Sequence, residues 1–213
     1  MEYLVSSLIG YCFGSFPTAY ILLIKIRKID IRKAGSQNVG AMNSYEVSNS
    51  KLIGLLVMII DMTKGAISVV LTLELFGNFF VLAALASIFA ILGHCYSPWL
   101  KFKGGRGLAT AAGSTAIVFP YLLAVWIVLW VIFFLLKKDI HFGNIAASIM
   151  SVILIFNTVD IALKYSYPSA ENVSVLILFV VCGMTIILIR HLEPIKELIF
   201  EKNIFRMIKD REK

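Results

Sequence analysis

The chain has 213 residues, with 20 Lys or Arg against 13 Asp or Glu, a formal charge of +7. Charged residues make up 15% and apolar residues 59%; a soluble domain carries about 25% charge, so a water-soluble globule, which could not hide that much apolar surface, is excluded. A disordered chain is excluded as well, because such chains are poor in Ile, Leu, Val and Phe.

The apolar residues fall in blocks of about 20 between short charged segments, the pattern of a polytopic helical membrane protein. The first block, residues 3–24, is interrupted by Gly14-Ser15-Phe16-Pro17. It has no basic lead and no cleavage site of the usual kind, so it reads as a retained span. Residues 25–51 are polar and basic. A second block covers residues 52–73, with Asp61 and Lys64 inside it, and a third covers 78–97. A short basic, glycine-rich loop follows. Residues 108–136 are too long for one ordinary span. Gly113 and Pro120 mark a break into a short segment, 108–118, and a full one, 120–136. Residues 142–162 and 172–189 complete the set. In the tail, Ile195, Leu198, Ile199, Phe205 and Ile208 recur at helical spacing among lysines, which predicts an amphipathic helix over 193–213 on the inner membrane surface.

Charge sets the orientation. With seven spans and the N-terminus outside, residues 25–51, 98–107, 137–141 and 190–213 lie inside and hold 18 of the 20 Lys and Arg, as the positive-inside rule asks. Six spans would put Lys137, Lys138 and the tail cations outside. The segment 108–118 reaches only about 16 Å at about 1.5 Å per residue, so it is expected to start in a cytosol-facing cavity. The expectation is an all-α fold: one membrane domain over 1–213 with about seven transmembrane helices, one of them short, the N-terminus outside and the C-terminus cytosolic. No internal repeat is visible, which weighs against an inverted-repeat transporter. Cys12, Cys95 and Cys182 give no paired framework.

The polar conformational oddities sit in the inside segments. Gly35-Ser36-Gln37-Asn38-Val39-Gly40-Ala41-Met42-Asn43 combines glycines, a hydroxyl and amides, residues that present small donors into a concavity as anion sites require; a tight loop capping the next helix is the alternative. Lys103-Gly104-Gly105-Arg106-Gly107 leads into the short helix. Helix N-termini carry positive partial charge and glycines let backbone approach a ligand, so this reads as a phosphate cradle, although it is not a Walker A motif. Arg190-His191-Leu192-Glu193-Pro194 ends the last span, where Pro194 suits the first position of the tail helix. Asp61 and Lys64, three residues apart, can pair, and ionisable residues inside a membrane are functional hypotheses by default. His94 and Cys95 are adjacent and do not face each other on a helix, so a nucleophilic pair is rejected. His141 is placed in a loop and carries no signal. No metal-ligand cluster and no cofactor motif is visible.

Together these segments resemble the bacterial acyl-phosphate:glycerol-3-phosphate acyltransferase (PlsY) family. The resemblance runs in order through Gly14-Ser15-Phe16-Pro17, the G-S-x-N-V-G-A-x-N loop, Asp61-x-x-Lys64-Gly65 and Gly93-His94. It continues through Phe102-Lys103-Gly104-Gly105-Arg106-Gly107-Leu108-Ala109-Thr110 and Arg190-His191-x-Glu193. It implies a seven-span enzyme of the bacterial inner membrane that moves a fatty acyl group from acyl-phosphate to the 1-hydroxyl of glycerol 3-phosphate, giving lysophosphatidic acid and phosphate. Its partners would be those two substrates and the bilayer, with no nucleic acid, metal or cofactor. It implies catalytic roles for Lys103, His94 and His191, the histidines being candidate bases. It implies substrate contacts from Ser36, Asn38, Asn43, Gly104, Gly105, Arg106, Gly107, Thr110, Arg190 and Glu193. Asp61 and Lys64 read as structural or functional alike. Such a reaction needs no covalent nucleophile, because phosphate is a good leaving group, and most of the rate can come from positioning and electrostatics.

The chain departs from the family pattern. Gln37 stands where the family usually has Gly, Met42 where it has Thr, and Glu46 where it has a basic residue. Arg106 replaces Lys, Asn144 falls near a Ser, and Pro194 replaces Asn. Several of these belong to the acceptor pocket, and Glu46 would repel an acceptor phosphate. A divergent paralogue with another acceptor therefore stays open. So do a transporter of a phosphorylated anion and a scaffold that binds anionic lipid through its basic tail.

Overall fold

The structure, a computed structural model, describes residues 1–192. Within them all regular structure is helical. The first block is a broken helix: α1 (Glu2–Gly14) and α2 (Thr18–Arg27) are separated at Ser15, Phe16 and Pro17, and Pro17 brings no N–H to continue the ladder. A 3-10 turn at Ile31–Lys33 follows, its Arg32 N–H held by the Asp30 carboxylate. Then come α3 (Ala41–Ser48), α4 (Lys51–Phe76), α5 (Phe80–Cys95) and a turn at Pro98–Leu100. The long apolar stretch is split as expected into α6 (Leu108–Val118) and α7 (Pro120–Lys137), with Phe119 at the joint and Pro120 in the first helical position, where its missing N–H costs nothing. The remaining helices are α8 (Ile140–Asn157), α9 (Val159–Lys164) and α10 (Val173–Arg190). Asp139 and Asn172 cap α8 and α10 through Phe142 N–H (2.7 Å) and Val175 N–H (3.0 Å).

Among the described residues, six helical stretches are long and apolar enough to cross a membrane, and α6 is a shorter apolar helix beside them. The protein is an all-α, multi-pass membrane protein. Two elements differ from expectation. α3 was expected as loop, and His141 lies in the first turn of α8 and not in a loop. The expected tail helix, 193–213, lies outside the described residues.

Small residues let the helices approach closely, as packing within a membrane favours. Gly10 and Gly14 of α1 lie against the carbonyls of Ala86 and Ala90 of α5. Gly65 of α4 lies against the Thr110 carbonyl, and Gly113 of α6 against the Met62 carbonyl. A buried cluster of Phe80, Phe119, Leu122, Ile155, Leu176 and Phe179 joins α5, α7, α8 and α10; the Phe80 and Phe179 rings meet edge to face at 5.7 Å.

α6 runs from the polar end of the bundle to the other end. Its last carbonyl, on Val118, accepts from Tyr167 N–H (2.8 Å) in the α9–α10 loop. In the same loop Glu171 accepts from Val81 N–H at the start of α5 (3.1 Å). At its other end Arg106 meets His141 (3.3 Å). The loop that leads into α6 lies at the edge of a recess.

Candidate functional site

The recess is a cavity of about 930 Å³ lined by Arg32, Lys33, Lys101, Lys103, Arg106 and Arg190, with the 35–38 loop and Gly104 between them. No carboxylate among the described residues lines it. Six cations around one hollow make an anion site by charge alone. Beside it runs a groove of about 310 Å³, walled by Met42, Met58 and Met62 on one side and Leu108, Ala109, Ala112 and Ile140 on the other. Asn38 and Arg106 line both spaces. A cationic cavity thus opens onto an apolar groove at these two side chains.

The 34–43 loop is stapled from below. Asn43 is buried; its Nδ2 donates to the carbonyls of Ala34 (3.1 Å) and Asn38 (2.9 Å), and its Oδ1 accepts from Ser36 N–H (3.0 Å). This leaves Ser36, Gln37 and Asn38 facing the cavity. Asn43, expected among the substrate contacts, has its amide engaged with its own loop. Gln37 takes φ +58°, a left-handed conformation that favours glycine. Its backbone shows why Gly is usual there.

The glycine loop is arranged differently from the expected cradle. The last carbonyls of α5 have no partner within their helix. The N–H of Gly104 donates to Cys95 O (3.0 Å) and that of Gly105 to His94 O (3.1 Å). Those two N–H groups are therefore not available to a ligand. Their carbonyls accept in turn from Arg190, Nη2 to Gly104 (3.1 Å) and Nε to Gly105 (3.1 Å), whose guanidinium also lies over Tyr96. A Cβ on Gly105 would collide with His94 Nε2. The two glycines hold backbone against α5, and Arg190 fastens them. From this loop, Lys103, Gly104 and Arg106 line the cavity, and Arg106, Gly107 and the start of α6 line the groove. Thr110, also expected to touch substrate, is fully buried against α4.

Asp61, Lys64 and His94 form one buried cluster. Lys64 Nζ lies 2.8 Å from Asp61 Oδ1, 2.9 Å from His94 Nδ1 and 3.0 Å from the Phe16 carbonyl oxygen. The break between α1 and α2 supplies that last acceptor. The half-buried Asp30 binds Arg32 at two points, Nε to Oδ1 (2.9 Å) and Nη2 to Oδ2 (2.8 Å). That guanidinium holds the Asp30 carboxyl low, at about 2.

All three histidines line the groove. The Trp130 indole can only donate, and it bonds Asn144 Oδ1 (2.7 Å), so Asn144 Nδ2 points to His191 Nε2 (3.2 Å). His191 Nδ1–H then donates to the Ile187 carbonyl (2.7 Å). His191 is wholly buried with both ring nitrogens engaged. Glu193, the remaining expected contact, lies outside the described residues. Sequence reasoning missed Arg32, Lys33, Lys101 and His141. The first three look like any cation at a membrane edge, and only the pairing of His141 with Arg106 marks it. No group of His, Cys, Asp and Glu suited to a metal occurs among the described residues.

Three comparisons bear on this arrangement. A family model described as Glycerol-3-phosphate acyltransferase matches residues 4–201. The glycerol-3-phosphate acyltransferase of Helicobacter acinonychis (strain Sheeba) is 36% identical over 161 residues, 71% of each chain. That of Pelagibacter ubique (strain HTCC1062) is 36% identical over 150 residues, 70% of this chain and 76% of that one. Among solved structures, the chain is similar to PlsY (YgiH), an integral membrane glycerol 3-phosphate acyltransferase. Against its glycerol 3-phosphate form the TM-score is 0.77, with 28% identity over 94% of each chain. Against its lysophosphatidic acid form the TM-score is 0.75, over 94% of this chain and 93% of that one.

Proposed function

This chain belongs to the glycerol-3-phosphate acyltransferase family, and on that premise we propose that it moves a fatty acyl group from acyl-phosphate to the 1-hydroxyl of glycerol 3-phosphate, giving lysophosphatidic acid and phosphate. The observation that carries the reading is the meeting of a six-cation cavity with an apolar groove at Asn38 and Arg106. An acyl-phosphate has that same division, an anionic head joined directly to an apolar chain. The groove takes the chain, and the scissile bond lies at the junction. The cavity is large enough for a second phosphate, that of the acceptor.

Lys103 and Arg106 hold the donor phosphate, which stabilises the charge that grows on it as it leaves. Arg106 also meets His141 (3.3 Å), and a planar guanidinium held by such a contact has a fixed orientation. Ser36 and Asn38 contribute from the facing loop. Arg190 acts through the glycine loop, and Asn43 through the 34–43 loop. Arg32, Lys33 and Lys101 gather the acceptor anion. The polar end faces the cytosol of a bacterial cell, at its inner membrane, and the N-terminus faces outward.

The test uses purified protein in lipid with palmitoyl-phosphate and glycerol 3-phosphate, following phosphate and lysophosphatidic acid together. Equal amounts of both, only with acceptor present, are expected. Lys103→Ala and Arg106→Ala should each lower transfer by about a hundredfold, the scale of one lost electrostatic contact in a transition state. Phosphate release without lysophosphatidic acid would move the reading to another acceptor. Full activity in both variants would remove the cation cavity from the reaction.

A further inference from the structure

The three histidines around the groove are the natural candidates for a base that takes the acceptor's proton, yet each has its lone pair engaged. Arg106 can only donate, so His141 Nδ1 accepts from it. His191 Nε2 accepts from Asn144. His94 Nδ1 lies 2.9 Å from Lys64 Nζ. Lys64 also meets the Asp61 carboxylate, which is buried among apolar helices. A neutral Lys64 would leave that carboxylate without a countercharge, at a large cost in free energy. Lys64 is therefore the charged partner, and an ammonium group can only donate. It donates to the Phe16 carbonyl and to His94 Nδ1, and it stands 2.8 Å from Asp61 Oδ1 as an ion pair. The proton of a neutral His94 must then sit on Nε2. That nitrogen is the one beside Gly105, in the space a Cβ would occupy, and the ring lines the groove next to Asn38 and Arg106.

We propose that His94 donates its Nε2–H to the carbonyl oxygen of the acyl-phosphate as that oxygen takes up negative charge, and that the buried Asp61–Lys64 pair fixes it in that tautomer. His94 is then a catalytic hydrogen-bond donor, and Asp61 and Lys64 are positioning residues. The inference rests on the acyl-phosphate reading above. In the step, the acceptor hydroxyl oxygen bonds the carbonyl carbon and the carbonyl electron pair moves onto oxygen. The pair then returns as the carbon–oxygen bond to phosphate breaks, and phosphate leaves with the bonding electrons. The hydroxyl proton ends on the product phosphate. His94 neither gains nor loses a proton.

The test compares two amides at position 94 with the active wild-type enzyme on palmitoyl-phosphate and glycerol 3-phosphate. Glutamine can put an N–H where Nε2 stands; asparagine keeps only an acceptor for Lys64. His94→Gln should retain kcat within about tenfold, and His94→Asn should lose about a hundredfold or more, with KM little changed in either. Equal losses in both would overturn the proposal in favour of a base, since neither amide takes a proton. Retention in His94→Asn would overturn it in favour of a ring that only satisfies Lys64.

Nitrogen-15 spectra of histidine-labelled protein give a reading independent of activity. With three histidines in the chain, His94→Gln assigns the signal. An Nε2–H tautomer is expected at His94, and a mixture of tautomers in Asp61→Leu/Lys64→Met. An Nδ1–H tautomer in the wild type, or an unchanged tautomer in the double variant, would overturn the assignment. A wild-type protein without transfer activity would instead count against the acyl-phosphate reading itself.

Discussion

At the scale of single residues, acceptor binding in the proposed reaction is expected to turn on Arg32, which lines the cavity, more than on the departures visible in the sequence. Asp30 and Tyr20 hold the Arg32 guanidinium, the tyrosine ring 4.5 Å beneath it. Arg32→Ala should raise KM for glycerol 3-phosphate by about tenfold with a smaller effect on kcat, as expected for a lost charge-assisted contact made equally in ground and transition states. Asp30→Asn leaves the cation but loosens it, and should raise KM by about two- to fivefold. The Asp30 carboxyl is lowered from 3.8 to about 2, so its hold on Arg32 is complete above the unfolded value and is lost only as pH falls through the folded one. The KM ratio of Asp30→Asn to wild type should therefore stay constant between pH 6 and 8; a ratio that changed there would assign the effect to another group. Glu46 is the opposite case. It was expected to repel the acceptor, yet it stands exposed on α3 and does not line the cavity. Glu46→Arg should leave KM within about twofold, and a clear fall would place α3 closer to the acceptor than it stands here. The place of the 103–107 loop at the cavity was legible because glycines and cations together are rare beside a membrane. Arg32, Lys33 and Lys101 were not, because a cation that lines a cavity and one that snorkels have the same sequence signature. The bonds of Asn43 to its own loop were not legible for a related reason: an amide in a polar loop can face a ligand or staple the backbone, and only the fold shows the staple.

At the scale of elements, α6 carries both the start of the groove and the loop above it, so its seat against α4 controls the site. That seat is made by two glycines, one on each helix, each against a carbonyl of the other. Gly113→Ala would drive a methyl group into the Met62 carbonyl. Because backbone cannot give way as a flexible side chain can, α6 must move. Overpacking of this kind costs about 1–3 kcal/mol. The variant should melt several degrees lower and lose most transfer activity, whereas Gly183→Ala, in open space on α10, should do neither. Equal melting temperatures for the two would mean that α6 is not held by this contact. The break in the long apolar stretch was legible from Gly113 and Pro120, and the joint falls at Phe119. The break in the first block was legible from Pro17. Its use was not: the Phe16 carbonyl it frees becomes an acceptor for Lys64, 48 residues away in sequence. α3 was missed because its eight residues are mostly polar and carry no apolar period. Its helix is set by Gly40 before it and by burial of Asn43 and Ser44 beneath the loop.

At the scale of the whole molecule, charge asymmetry and site location share one cause. The positive-inside bias concentrates Lys and Arg at one end of the bundle, and the cavity is built from that same pool. The far end, where Gly77, the α6–α7 joint and the α9–α10 loop meet, holds Lys164 as its one Lys or Arg among the described residues. This count alone carries the expected topology, because insertion responds to the number of cations near each span and not to their contacts. The division of those cations between cavity and membrane edge was not legible. The sidedness is tested without reference to activity by single cysteines at two exposed positions outside the cavity lining, Glu46 at the polar end and Asn78 at the other. The background must lack Cys12, Cys95 and Cys182, since Cys12 is itself exposed. A membrane-impermeant maleimide added to intact cells should label Asn78→Cys and leave Glu46→Cys unlabelled, and permeabilised cells should label both. The reverse pattern would turn the cavity outward, away from the cytosolic pools that must supply both phosphorylated substrates, and the proposed reaction would then have no source for either.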